Sequence, residues 1–286
     1  MPNHLLFYAY TGRQVAECRY FLLKYLALYN LKPPAAIIPV IYTNQPNAFE
    51  SFTSFFARFQ MPELLAAEKP VAVTQLTKTD ILQQFFLQNN GAVLYCDTNT
   101  YPLQPLEALF SDLAKGGLYL HAPQRMNETN LLAATRKLTA QKDKTATATA
   151  TPTSAHMTVY NTAVIGLNES HKELIATVAQ QTAGATNELA FNQSYTKHFG
   201  NAGTLKSAEK YIYEYSRLKE FDYVLQTFFT RNEEESIPNQ VKLVHHLDAA
   251  VIQQQKEAFQ KQPFLKKWLQ TITGKQWRIR QYTDKL

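Results

Sequence analysis

The chain has 286 residues, 45% hydrophobic and 12% aromatic, long enough to bury one large core or two small ones. No uninterrupted apolar run approaches the roughly twenty residues of a spanning helix, which excludes an integral membrane reading. The formal net charge of +6 suits an anionic ligand or surface, but the Lys and Arg residues are scattered without a recognition motif before the extreme C-terminus, so no nucleic-acid partner is expected.

Met1-Pro2-Asn3-His4 lacks the basic region and apolar block of a secretory signal, and the expected location is the cytoplasm. Leu5 to Tyr10 reads as a short strand closed by Thr11-Gly12. Val15, Cys18, Phe21, Leu22, Tyr25, Leu26 and Tyr29 then recur at helical spacing until Pro33-Pro34. Ile37 to Tyr42 is a second strand, followed by a turn into a Phe-rich stretch from Phe49 to Phe59. Val71 to Val73 is a candidate strand, and Thr79 to Gln88 a helix with Ile81, Leu82, Phe85 and Phe86 inward. Gly91 to Cys96 is a strand of the fully buried kind that runs into Asp97-Thr98-Asn99-Thr100, after which Leu103 to Leu113 reads as helical. Cys18 and Cys96, the only cysteines, support neither a disulfide framework nor a zinc site. The alternation predicts an α/β fold with an open, mainly parallel sheet, whose ligands lie beyond the carboxyl ends of its strands, where Asp97 falls.

Leu118 to Leu120 is a further strand. Ala140 to Ala155, an alternation of Thr and Ala, has too few apolar residues for a core and reads as a mobile loop, either a solvated linker or a lid. Met157 to Leu167 is strand-like, His171 to Thr182 helical, and Tyr211 to Phe229 aromatic-rich and of open class. Lys242-Leu243-Val244-His245-His246 reads as a last strand or its end. Helices over Ala249 to Gln260 and Pro263 to Thr273 close the chain, so the expected organisation is one domain over 1–248 and a helical extension over 249–286. In that extension an apolar stripe stands among Lys266, Lys267, Lys275, Arg278 and Arg280. Such a stretch over 263–280 either lies on an anionic membrane surface or packs on the domain with its cations solvated.

The chemistry centres on Asp97 and Asn99, two oxygen-bearing side chains one residue apart directly after a buried strand. In a turn both can point to one side and offer hard oxygen ligands to Mg²⁺ or Mn²⁺ bridging a pyrophosphate. Bound there, the metal would neutralise charge on a leaving nucleoside diphosphate. The plainer alternative is a polar turn that caps the next helix.

Val93 to Tyr101, with Leu106 to Phe110 behind it, resembles the strand and Asp-x-Asp signature of GT-A glycosyltransferases, and the chain is similar to glycosyltransferase family 8. Tyr160-Asn161-Thr162-Ala163-Val164-Ile165-Gly166-Leu167 resembles that family's Asn-Ser-Gly-Val strand, which implies that Asn161 and Thr162 meet the sugar region. Asn187-Glu188-Leu189-Ala190-Phe191-Asn192 resembles its Asp-Gln-Asp-x-Leu-Asn segment on the reacting face. Glu188, beside Asn187, would there stabilise positive charge or act as the nucleophile of a retaining transfer. Val244-His245-His246 is similar to the late His-aromatic motif that supplies a third metal ligand, here His245, with His246 as the other choice, and an imidazole suits Mn²⁺ better than Mg²⁺. Tyr8, Ala9, Tyr10 and Thr11 occupy the place of the first strand end, which touches base and ribose, so Tyr10 would stack on uracil.

The resemblance runs in order from about Leu5 to Leu247. It implies a hexosyltransferase that moves a sugar from a nucleotide-diphosphate donor, a UDP-sugar, to a saccharide or lipid-linked acceptor at the cytoplasmic face. Two departures matter. Asn99 stands at the second acidic position, so the divalent ion would be held weakly, and Asp248-Ala249-Ala250-Val251 replaces the Gly and Lys that follow the late His. Both leave open a degenerate domain that binds nucleotide-sugar, carbohydrate or a protein without turnover. A nucleotidyltransferase fits less well, because Tyr10-Thr11-Gly12-Arg13 is a poor phosphate loop.

Overall fold

The structure is a computed structural model and describes residues 2–64, 76–125, 158–181, 194, 205–274 and 276–283. The expected strand at Val71 to Val73, the loop from Ala140 to Ala155 and the segment Asn187 to Asn192 lie outside the described residues. In chain order the elements are β1 (Asn3–Ala9), α1 (Gly12–Leu28), β2 (Ile37–Thr43), α2 (Glu50–Thr53), α3 (Lys78–Gln88), β3 (Ala92–Cys96), β4 (Thr100–Pro102) and α4 (Glu107–Ala114). They continue as β5 (Leu118–Leu120), β6 (Pro123–Arg125), β7 (Thr158–Tyr160), β8 (Val164–Asn168), α5 (Lys172–Gln181), β9 (Leu205–Ser207) and β10 (Ile212–Glu214). The last are α6 (Phe221–Arg231), α7 (Ile237–Val244), α8 (Ala249–Gln260), α9 (Phe264–Ile272) and α10 (Arg280–Thr283).

The chain forms two compact units, one of Met1–Leu6, Glu63–Cys96 and Leu106–Lys210, the other of Phe7–Pro62, Asp97–Pro105 and Tyr211–Leu286. In the first, the strand order is β1, β3, β8, β5, β9. β1 and β3 are parallel, as are β5 and β9, while β8 runs antiparallel to both β3 and β5. Four of these five strands therefore point one way, and the mainly parallel α/β sheet is the one expected. Gly166 sits mid-strand in β8 because a Cβ there would stand 3.0 Å from Tyr119 Cβ and 3.1 Å from Leu113 Cδ2. The expected strand from Met157 to Leu167 is in fact two, β7 and β8, separated by Asn161, Thr162 and Ala163. α3 packs on α5, and α4 on β3 and β8.

In the second unit β2 lies beside β1, and α1 is the central post. Its start is fixed by a capping box, in which Thr11 Oγ1 accepts from the Gln14 amide and the Gln14 side chain accepts from the Thr11 amide. It packs on β4, α6 and α7, and its Tyr20 ring meets Tyr101, Tyr215 and Phe221 edge-on. The buried Tyr20 hydroxyl donates to Leu247 O at 2.8 Å, which satisfies it inside the core. β4 pairs antiparallel with β10 and ends at Pro102, and α4 begins at Glu107 with Leu106 as its N-cap, four residues later than the helix expected from Leu103.

The expected last strand at Lys242 to His246 is the end of a helix. Pro238 stands in the first turn of α7, where its missing N–H costs nothing, and Ile237, Val241 and Val244 are buried at helical spacing. β-branched residues gave this segment its strand-like look, and the period of four and three overrides it. Residues 249–286 fall in the second unit.

Candidate functional site

The turn between β3 and β4 is built from three side chains with different environments. Thr98 is buried and its hydroxyl donates to Glu17 Oε2 at 2.6 Å. Asp97 and Asn99, on either side of it, are half-buried. The Asp97 carbonyl accepts from Thr100 Oγ1 at 2.7 Å, and the Asn99 carbonyl accepts from the Tyr215 amide at 3.0 Å. The turn is thus held at each of its three residues, through the backbone at Asp97 and Asn99 and through the side chain at Thr98. Among the described residues Asn99 Oδ1 is buried with no hydrogen-bond partner. A buried amide oxygen left this way carries an unmet desolvation penalty, so it is a place where a cation or donor would be stabilised.

Glu17 is the support of this turn and is only 3% exposed. Arg13 Nε donates to its second oxygen at 2.9 Å, and Arg13 Nη1 lies 3.0 Å from Asp222 Oδ2. Burial pushes the Glu17 carboxyl above the ordinary range, against the pull of Thr98 and Arg13, and burial likewise raises Asp222. Sequence reasoning missed Glu17. Its signal was a carboxylate within the apolar stripe of α1; its partner lay 81 residues away.

At the end of β1 the Tyr8 and Tyr10 rings stack, with centroids 4.7 Å apart. Burial, then the neighbouring Tyr10, raises the Tyr8 hydroxyl to about 12. Ala9 is buried, Thr11 is exposed, and the Tyr10 amide donates to Gln14 Oε1 at 3.1 Å.

His245 is the C-cap of α7, and both it and His246 are exposed. This corrects the expectation of a strand. In a strand the two rings would face opposite ways, whereas in a helical turn they differ by about 100°, so the choice between them is no longer forced by geometry. Beyond them, Asp248 caps α8, accepting from Ala250 N at 2.9 Å and Val251 N at 3.3 Å, and it also accepts from the Tyr101 hydroxyl at 2.7 Å. The tetrapeptide Asp248-Ala249-Ala250-Val251 is therefore a helix start, two of whose amides an aspartate already occupies. Among the described residues no three or more of His, Cys, Asp and Glu gather at one point.

In the first unit, Asn161 and Thr162 form the break between β7 and β8. Asn161 exchanges backbone hydrogen bonds with the 121–122 segment, and its Oδ1 accepts from the Ala163 amide at 2.6 Å. Thr162 is fully buried, and Lys78 Nζ donates to its carbonyl at 3.0 Å. Lys78 had no place in the sequence reading. A cavity of about 480 Å³ is lined by Gln83, Gln84, Phe86, Leu87, Lys172 and Ile175, none of them expected in the site. Asn187 and Glu188 lie outside the described residues.

No family model and no curated protein matches this sequence. Among solved structures the chain is similar to mouse xyloside xylosyltransferase 1 in its apo form, at 10% identity over 72% of this chain and 85% of that one, with a TM-score of 0.43. It is similar to the galactosyltransferase LgtC in complex with donor and acceptor sugar analogs, at 12% identity over 71% and 72%, with a TM-score of 0.43. It is also similar to the glycosyltransferase GlyE of Streptococcus pneumoniae, at 13% identity over 81% and 50%, with a TM-score of 0.40.

Proposed function

We propose that this chain is a GT-A glycosyltransferase that moves a sugar from a UDP-sugar to a saccharide or lipid-linked acceptor at the cytoplasmic face. The observation that carries the reading is the unpaired, buried Asn99 Oδ1 in a turn whose backbone is fixed and whose middle residue is anchored to Glu17. A turn held this way keeps its ligating groups in place before the donor arrives, so little ordering entropy is lost on binding. Asp97, Asn99 and His245 are the residues that would hold Mn²⁺ or Mg²⁺, which when bound would offset the negative charge of a departing nucleoside diphosphate. Tyr10, stacked on Tyr8, offers its ring to the uracil. Asn161, Asn187 and Glu188 are assigned to the sugar on the resemblance alone, with Glu188 facing the positive charge of the transition state.

A second reading, a domain that binds without turnover, is favoured by Asp248, which fills the start of α8 where a phosphate would need a cation. Thermal denaturation with UDP-sugars, with and without Mn²⁺, tests the first reading. A melting point raised only when donor and metal are both present is expected, and Asp97→Asn should abolish it. Asn99→Asp should tighten the metal about tenfold, since one added charge on a partly buried ligand is worth on the order of 1–2 kcal/mol. No response to any nucleotide-sugar rejects the reading. Donor stabilisation without turnover, unchanged in Glu188→Gln, leaves the second.

A further inference from the structure

α9 has no buried residue. Phe264, Leu265, Trp268, Leu269 and Ile272 are 53–78% exposed, the largest group of exposed apolar side chains among the described residues. At about 100° per residue they fall within an arc of about 140°, and Lys266, Gln270, Lys267 and Thr271 fill the rest of the circumference. Packing on its own unit, the alternative raised by the sequence, does not occur. A helix that left this face in water would be unfavourable and prone to self-association, so the face is built to be covered.

Charge identifies what covers it. From Ala258 to Thr283 the chain has Lys261, Lys266, Lys267, Lys275, Arg278 and Arg280 and no acidic residue. The whole chain has 29 basic and 23 acidic residues, so taking these six away leaves 23 of each sign. The entire formal excess of +6 is therefore carried by this one segment. An apolar arc bordered by cations matches a surface that is apolar at depth and anionic at its face, which is a bilayer containing acidic lipid. A second protein copy would present the same cations and repel it.

We propose that α9 docks this chain on an anionic membrane surface, with Phe264, Leu265, Trp268, Leu269 and Ile272 at the level of the acyl chains and Lys261, Lys266, Lys267, Arg278 and Arg280 among the headgroups. The binding depends on the helix and not on the sugar-transfer reading. Each cation near such a surface strengthens binding about fivefold, and the apolar arc adds a contribution that salt does not screen.

The test is co-sedimentation of the full chain with vesicles of phosphatidylcholine alone or mixed with phosphatidylglycerol, without donor. The expected result is capture by the mixed vesicles, more than tenfold weaker on phosphatidylcholine and weakened by salt. The double variant W268E/L269E should lose it, and because both side chains are exposed its circular dichroism and melting point should match the parent. In a W277F chain Trp268 is the one remaining indole, and its emission should shift to the blue when mixed vesicles are added. Equal capture by both vesicle types, unaltered capture of W268E/L269E, or an unshifted Trp268 emission would each overturn the proposal. So would a concentration-dependent dimer that W268E/L269E dissolves while no vesicle is bound.

Discussion

Glu17 shows what a single buried carboxylate does beneath the turn between β3 and β4. Its burial raises the proton affinity, while the Thr98 hydroxyl and the Arg13 guanidinium favour the ionised form. Glu17→Ala leaves the buried Thr98 hydroxyl without its acceptor and should cost about 1–3 kcal/mol in urea unfolding. Glu17→Gln keeps an acceptor for Thr98 and should cost less. The two also separate by pH. A carboxyl whose folded pKa lies above its unfolded value binds its proton more tightly in the fold, so the parent loses stability as pH climbs from the unfolded pKa through the folded one. Gln cannot titrate. The stability of Glu17→Gln relative to the parent should therefore rise across that window and be constant above it; a difference independent of pH would show that Glu17 does not titrate there. Asp97 and Asn99 were legible as a pair because a buried strand followed by two oxygen donors is a local pattern. The anchoring of Thr98 was not, since it depends on where α1 packs.

At the level of elements, periodicity found the central pieces and failed where two periods overlap. β1, α1, β2, α3, β3, α8 and α9 lie within a few residues of their expected bounds. The end of α7 did not, because Val241, Leu243 and Val244 satisfy both a strand composition and a helical spacing, and only Pro238 three residues upstream of Val241 tips the choice. The reversal of β8 was also hidden, as a strand's direction is a property of its neighbours. Gly166 was the visible trace of that crowding. Gly166→Ala would push a methyl against Tyr119, Leu113 and Leu94 at 3.0–3.2 Å and should destabilise the chain by about 1–3 kcal/mol in chemical denaturation. An unchanged midpoint would mean that the sheet yields at this point.

For the whole molecule, composition announced a basic protein and concealed where the charge resides. Replacing Lys261, Lys266, Lys267, Lys275, Arg278 and Arg280 by Gln would bring the formal net charge to zero. That variant should lose its retention on a cation exchanger at neutral pH and be least soluble there, where the parent is retained and soluble. If retention survived, the remaining twenty-three cations would have to be grouped rather than balanced. No helix among the described residues is long and apolar enough to cross a membrane. With twenty-three charges of each sign elsewhere, the unbalanced positive charge lies in the last tenth of the sequence, around the exposed α9. A body charged off-centre feels a torque near a negative wall. Within a screening length of the wall it turns before it touches, so the first contact is already aimed, and the frequency of productive collisions falls as electrolyte is added.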